Sequence, residues 1–142
     1  MNLDTLKNML IEHEGMKEFP YRCTAGKLTI GVGRNIQEKG ITKAEALFLL
    51  DNDITEVVDD LKKVFGQPTW DLFPDVVQLV CSDMRFNMGP LGFREFKNMI
   101  AAAKVNDWKG MKACMINSAW YKQVGVRSKQ LASMMDTVIN HI

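Results

Sequence analysis

The chain has 142 residues, of which 46% are hydrophobic and 25% charged, and its formal net charge is +1. These values predict one globular domain, and a charge this close to neutral gives no reason to expect a nucleic-acid partner. No run of about 18 apolar residues occurs, so we expect no membrane insertion.

The cysteines are Cys23, Cys81 and Cys114, an odd number at wide spacing. The sequence contains neither a CxxC pair nor a Cys/His cluster with zinc spacing, so we expect no metal site and no cofactor. Cys81 and Cys114 lie in apolar segments, where we expect both to be buried. Charged residues interrupt the N-terminal segment, so the sequence predicts no export signal. An odd number of widely spaced cysteines fits synthesis in a reducing cytoplasm.

The N-terminal third changes character at Gly15. Before it, apolar residues at helical spacing predict a first helix over about 3–13, capped by Gly15: Leu3, Leu6, Met9 and Leu10. Short alternating runs broken by Gly and Pro follow over residues 17–34, and they predict a small antiparallel sheet.

A long helix is predicted over about 42–65. Thr42 and Glu45 match the capping-box pattern, and Gly66 with Pro68 would end the helix. Shorter helices separated by Gly, Pro and Asn are predicted for the remainder, over about 74–88, 91–104, 107–117 and 125–140.

The predicted fold class is therefore α+β, with a single domain over residues 1–142. We expect a small sheet lobe over about 14–45 and a connecting helix over about 42–65. A helical lobe would cover about 66–142, with the N-terminal helix packed on it. A cleft between two such lobes is a common place for a ligand site.

The candidate chemistry lies near the N-terminus. Glu14 stands at the end of the first helix, and Thr29 to Gly33 form a strand-like run with two glycines, which permit close approach of a polymer. The helix dipole and partial burial would favour the protonated form of Glu14, as a general acid requires. Taken alone, a glutamate at a helix end is usually a surface residue.

The segment EGMKEFPYRCTAGKLTIGVGRN at 14–35 resembles the active-site hairpin of phage-type lysozymes, the family of the T-even phage enzyme. In that family a Tyr follows the Glu by seven residues, and a Gly turn and a T-I-G-x-G strand come next. MRFNMG at 84–89 and the Trp-Tyr-x-Gln…Arg pattern at 120–127 resemble two further family motifs, so the likeness spans nearly all of the chain.

The resemblance implies a muramidase that hydrolyses the β-1,4 bond between N-acetylmuramic acid and N-acetylglucosamine in peptidoglycan. Glu14 would be the general acid, and Thr29 would help to hold the attacking water. Arg127 would lie close to Glu14 and orient it. The residues implied to bind the glycan are Tyr21, Gly33, Phe86, Asn87 and Arg127.

The chain departs from the family at Cys23, where most members have an Asp nine residues after the Glu. A thiolate at this position would act as the base that activates water, or would attack the sugar directly. A third possibility is a passive replacement, in which case Glu14 and water suffice. Arg22 and Lys27 are near enough in sequence to favour the thiolate.

Other functions remain open at this stage. Cys23 with His13 or His141 would suit a cysteine-dependent amidase or peptidase, although His13 is expected to be a plain exposed residue. Loss of the Asp would suit a glycan-binding module without activity, and a lytic transglycosylase needs only one Glu. For a phage endolysin we expect a monomer held in the host bacterial cytoplasm until a holin gives it access to the periplasm and cell wall.

Overall fold

The computed structural model describes residues 1–140, and in this range it contains three strands and ten helices. The predicted α+β class is confirmed. The strands are β1 (Lys17–Arg22), β2 (Leu28–Gly31) and β3 (Arg34–Asn35). The helices are α1 (Leu3–Glu14), α2 (Ile36–Lys39), α3 (Lys43–Phe65), α4 (Gln67–Leu72), α5 (Asp75–Arg94), α6 (Lys97–Lys104), α7 (Trp108–Ile116), α8 (Ala119–Val124), α9 (Val126–Met134) and α10 (Asp136–Ile139).

The chain divides into two compact units, and the boundary falls inside α3. The first, here called the sheet unit, is Met1–Leu49. The second, here called the helical unit, begins at Leu50. The single lysozyme domain and the packing of the N-terminal helix on a helical lobe stay predictions.

The sheet unit begins with α1, whose ends are those that the sequence predicted to within one residue. The Asn2 side chain accepts a hydrogen bond from the Thr5 N–H at 3.0 Å, which satisfies one of the free donors of the first turn. The Gly15 N–H donates to the Ile11 carbonyl at the other end, at 2.8 Å. Glu14 is therefore held on the last turn of a capped helix.

The predicted sheet is confirmed as three antiparallel strands in the order β1-β2-β3. Tyr21 on β1 pairs with Thr29 on β2, and Thr29 pairs in turn with Asn35 on β3. The two residues between β2 and β3 are Val32 and Gly33, and Gly33 has φ +64°. Such a tight hairpin connection favours glycine because it needs the left-handed backbone region.

The capping box at the start of α3 forms as predicted. The Thr42 hydroxyl accepts from the Glu45 N–H at 3.1 Å, and Glu45 Oε1 accepts from the Thr42 N–H at 2.8 Å. The helix ends at Phe65, before Gly66. The sequence therefore predicted both ends of α3 to within one residue.

The helical unit has more and shorter helices than predicted. The predicted helix over 91–104 is wrong in its bounds, because α5 continues past Gly89 to Arg94 and α6 begins only at Lys97. Gly89 has φ +78° and marks a kink inside α5, so the Gly-Pro signal bends the helix there. α4 and α8 were not predicted, and the predicted helix over 125–140 is divided at Met135.

The core of the helical unit consists of eighteen buried apolar residues that lie between Val57 and Met135. The methionine stripe predicted to be core is buried at Met84, Met99, Met111 and Met115, and Met88 packs partly buried against it. Four aromatic rings, those of Phe65, Trp70, Phe73 and Phe93, pack against one another in the same cluster.

Candidate active site

The Glu14 carboxylate lies against the backbone of Gly33. A Cβ atom added to Gly33 would be 2.7 Å from Glu14 Oε2 and 3.0 Å from its Cδ, which is closer than real Cβ contacts allow. Glycine is favoured here by its positive φ, and a side chain at this position would also have to displace the Glu14 carboxylate. The predicted acid and the predicted glycine-rich strand thus meet within the sheet unit. Glu14 is exposed, so the expected partial burial is wrong in the described structure.

Cys23 begins the turn that joins β1 to β2. Its N–H donates to the Lys27 carbonyl at 3.0 Å, and its own carbonyl accepts from the Gly26 N–H at 2.8 Å. The backbone N–H groups of Lys27 and Ala25 lower the pKa of the Cys23 thiol against the opposing desolvation. Donors that point at a thiol stabilise its thiolate form. The half-buried Cys23 therefore has a larger thiolate fraction than an ordinary cysteine.

Thr29 is the one buried side chain among residues 1–49, at 3% exposure. Its hydroxyl donates to the Lys27 carbonyl at 2.9 Å. The hydroxyl oxygen keeps lone pairs with which it can accept a hydrogen bond. Because Tyr21 lies directly opposite Thr29 in the antiparallel pair, their side chains share one face of the sheet.

Phe86 and Asn87 lie on α5 in the helical unit, and both are exposed. Asn87 Oδ1 accepts a hydrogen bond from the Trp120 indole N–H at 3.1 Å. This bond orients the amide so that its NH₂ group remains available to donate. Sequence reasoning missed the role of Trp120, although it had recognised the motif that contains this residue.

Arg127 lies on α9 and pairs with Asp83 of α5, with a Nε to Oδ1 distance of 2.6 Å. Phe86 and Arg127 line the same open cavity of about 570 Å³, together with apolar residues such as Leu79. Asp83 had not been singled out, because an aspartate within an apolar helical stripe gives no signal of its partner. That Arg127 orients Glu14 stays a prediction.

The phage lysozyme family profile matches residues 11–136 of the chain. The chain belongs to the phage lysozyme family. Members of this family are muramidase-like hydrolases of peptidoglycan, which is the class that the hairpin motif had implied.

Two curated proteins resemble this chain at low identity. The first is the "Pre-baseplate central spike protein Gp5" of Enterobacteria phage T4, which is 26% identical over 94% of this chain. The chain spans only 28% of that spike protein's length. The second is the "Probable T4-type lysozyme 2" of Dictyostelium discoideum, 22% identical over 95% of each chain.

The other two cysteines, Cys81 and Cys114, differ in how deeply they are buried. Cys81 is fully buried as predicted, and burial raises the pKa of its thiol to about 12. The prediction of burial is wrong for Cys114, which is half-buried and lines a second open cavity of the helical unit. Cys114 packs against the core but also borders this cavity, which leaves it partly accessible.

The remaining candidate groups are the histidines and the side chains that could bind a metal ion. His13 is exposed on the last turn of α1, as expected, and His141 lies outside the described residues. Within residues 1–140, the His, Cys, Asp and Glu side chains form no group of three or more that could hold a metal ion. In the same range, none of the helices has the length and apolar character needed to cross a membrane.

Proposed function

We propose that this lysozyme hydrolyses the β-1,4 bond between N-acetylmuramic acid and N-acetylglucosamine, with Glu14 as its general acid. The observation that carries the proposal is the packing of the Glu14 carboxylate on Gly33, in the unit that also holds Cys23 and Thr29. A proton donor and a group that can activate water are the two parts that an inverting glycosidase needs.

In the proposed reaction, Glu14 donates its proton to the glycosidic oxygen, and the bond from that oxygen to C1 breaks. A water molecule attacks C1 from the opposite face of the sugar. The Cys23 thiolate takes one proton of this water. The Thr29 hydroxyl oxygen accepts a hydrogen bond from the other, because its own hydrogen is donated to the Lys27 carbonyl. Solvent then returns the proton from Cys23 to Glu14, and the product has inverted configuration.

The glycan is proposed to contact Tyr21 and Gly33 in the sheet unit, and Phe86, Asn87 and Arg127 in the helical unit. The free NH₂ group of Asn87 suits an acetamido carbonyl, since its Oδ1 is already engaged by Trp120. Removal of this orientation, by Trp120→Phe, should raise KM for peptidoglycan more than it lowers kcat.

The test is digestion of purified peptidoglycan, followed by mass analysis of the fragments. New reducing ends on muramic acid are expected. Anhydro ends would indicate a lytic transglycosylase, and free amines would indicate an amidase that uses the lowered pKa of Cys23. Intact strands that still retain the protein would indicate a binding module, and each of these three results would contradict the proposal.

We also propose that the protein is a monomeric endolysin, which stays in the host cytoplasm until a holin releases it to the wall. Expression in a bacterial host should then leave the culture intact until a holin is co-expressed, after which turbidity falls. Lysis at the same rate without the holin would contradict this part, and sedimentation of the purified protein reports its oligomeric state.

A further inference from the structure

The position of the Glu14 carboxylate depends on a turn of only two residues. Gly33 is the second of them, and a Cβ atom added to it would be 2.7 Å from Glu14 Oε2, so the carboxylate lies against the glycine backbone. A movement of this turn would therefore move the surface against which the carboxylate rests. An interaction that fixes the turn thus fixes one side of the space in which the carboxylate lies.

The next residue, Arg34, is held by two parallel hydrogen bonds. Its Nη1 donates to Glu45 Oε1 at 2.8 Å, and its Nη2 lies 2.6 Å from Glu45 Oε2. Nη1 also donates to the Gly40 carbonyl at 3.3 Å. A two-pronged Arg–carboxylate pair constrains orientation as well as distance. These bonds therefore fix Arg34, the first residue after the turn.

The other end of the pair is fixed as well. Glu45 lies in the first turn of α3, where its Oε1 also accepts from the Thr42 N–H. The guanidinium of Arg34 lowers the pKa of the Glu45 carboxyl to about 2, so the pair stays ionised wherever the protein is folded near neutral pH. By contrast, the Lys27–Glu38 pair of the same unit is a single contact of 2.8 Å between two flexible side chains.

We propose that the Arg34–Glu45 pair is a positioning device for the general acid, acting on Glu14 through the backbone of Gly33. The inference rests on the proposed function, in which Glu14 is the acid. It assigns to two charged residues a share in the rate of hydrolysis, although neither reaches the sugar. It also explains why a capping glutamate carries an arginine partner that capping alone does not need.

Two substitutions remove the pair in different ways. Glu45→Gln keeps an oxygen that can accept from the Thr42 N–H, so the capping box survives while the charge is lost. Arg34→Lys keeps the positive charge but removes the fork that bonds both carboxylate oxygens. Two matched controls belong with them. Thr42→Ala weakens the cap without touching Arg34, and Glu38→Gln breaks the neighbouring single-contact pair.

The readouts are kcat and KM on a soluble peptidoglycan fragment, both normalised to folded protein. A slight misplacement of a reacting group can cost a large factor in rate, so we expect both pair variants to lower kcat about 10-fold. KM should stay within about 2-fold, since the pair does not touch substrate.

The controls separate positioning from stability. Thr42→Ala should lower the Tm yet keep wild-type kcat, and Glu38→Gln should change neither. The proposal is overturned if both pair variants keep wild-type kcat, or if Thr42→Ala lowers kcat as much as they do. If Glu45→Gln does not fold, Arg34→Lys decides alone. Full activity of Glu14→Gln would instead overturn the proposed function, independently of these variants.

Discussion

Different interactions stabilise the inside of each unit. In the sheet unit, Thr29 is the one buried side chain, and hydrogen bonds, helix caps and ion pairs set the geometry around Glu14 and Cys23. The helical unit buries eighteen apolar residues, and its charged network around Asp60 includes the buried Arg85. Directional polar bonds fix where a reacting group lies, whereas apolar burial supplies stability. Substitutions of the polar residues that set the geometry around Glu14 and Cys23 should therefore change rate, and those of the buried network in the helical unit should change stability.

The largest expected effect is that of Glu14→Gln in the sheet unit. General acid catalysis contributes roughly 10²–10⁴-fold, so kcat should fall by about that factor when the proton is lost. The Tm should be almost unchanged, because Glu14 is exposed. Turbidity loss of permeabilised cells measures the rate. Glu12→Gln, on the same helix, is the matched control and should behave as wild type; equal activity of the two variants would remove Glu14 from the mechanism.

Next come the variants of Cys23. Cys23→Ser keeps the shape but not the ionisable group, so its rate should fall by at least about 10²-fold, whereas Cys23→Asp should retain substantial activity. The steady-state rate on peptidoglycan reports this difference, with Cys114→Ser as the control. If Cys23→Ser and Cys23→Ala both match wild type, the thiol is a bystander.

A smaller effect is expected from Gly33→Ala, in which the new methyl group would have to displace the Glu14 carboxylate. We expect kcat to fall about 10-fold from this misplacement. Gly31→Ala is the matched control, because Gly31 also has positive φ but a Cβ there meets no atom within 4 Å. The two variants should lose similar Tm. A kcat loss shared equally by both would point to backbone strain and not to the contact with Glu14.

The weakest effect on rate is expected from Asp60→Asn in the helical unit. Asp60 bonds Arg94 at 2.6 Å and the buried Arg85 at 2.7 Å, and these guanidinium groups, Arg94 first, lower the pKa of the Asp60 carboxyl to about 2. Loss of its charge leaves Arg85 buried without a partner, at a cost of about 3 kcal/mol. The Tm should fall while kcat per folded molecule stays unchanged.

The pH dependence of that stability has a definite sign. A carboxyl with a lowered pKa stabilises the fold above its unfolded pKa of about 3.9, and this contribution is lost as pH falls toward 2. The Tm difference between wild type and Asp60→Asn should therefore be full at pH 7 and shrink below about pH 4. Asp136→Asn, which breaks the more exposed pair with Lys112, should cost little at either pH.

Sequence patterns predicted those parts of the fold that local rules control. Asn2, Gly15, Thr42 and Glu45 cap their helices through neighbours within four residues, so the bounds of α1 and α3 were predictable. The bounds of α5 and α6 were not. Gly89 and Pro90 were expected to end a helix, but Gly89 adopts a positive φ and the helix continues to Arg94. The eight-residue α6 depends on burial of Met99 and Ala103 more than on its own capping.

The candidate site divides in the same way. The hairpin motif indicated Glu14, Cys23 and Thr29, which lie within twenty residues of one another in the sequence. The pairs Asn87–Trp120 and Arg127–Asp83 join residues 33 and 44 positions apart, and the sequence indicated only one member of each as a site residue. Partners at such a separation are set by the packing of helices, which local spacing does not encode.

Digestion in water enriched in ¹⁸O tests the central claim most directly, provided that new ends are reduced with borohydride at once to prevent exchange. Hydrolysis by Glu14 and an activated water predicts one ¹⁸O atom at C1 of the new muramic acid end, and none with Glu14→Gln. Label in a stem-peptide carboxylate, or unlabelled anhydro ends, would contradict the account.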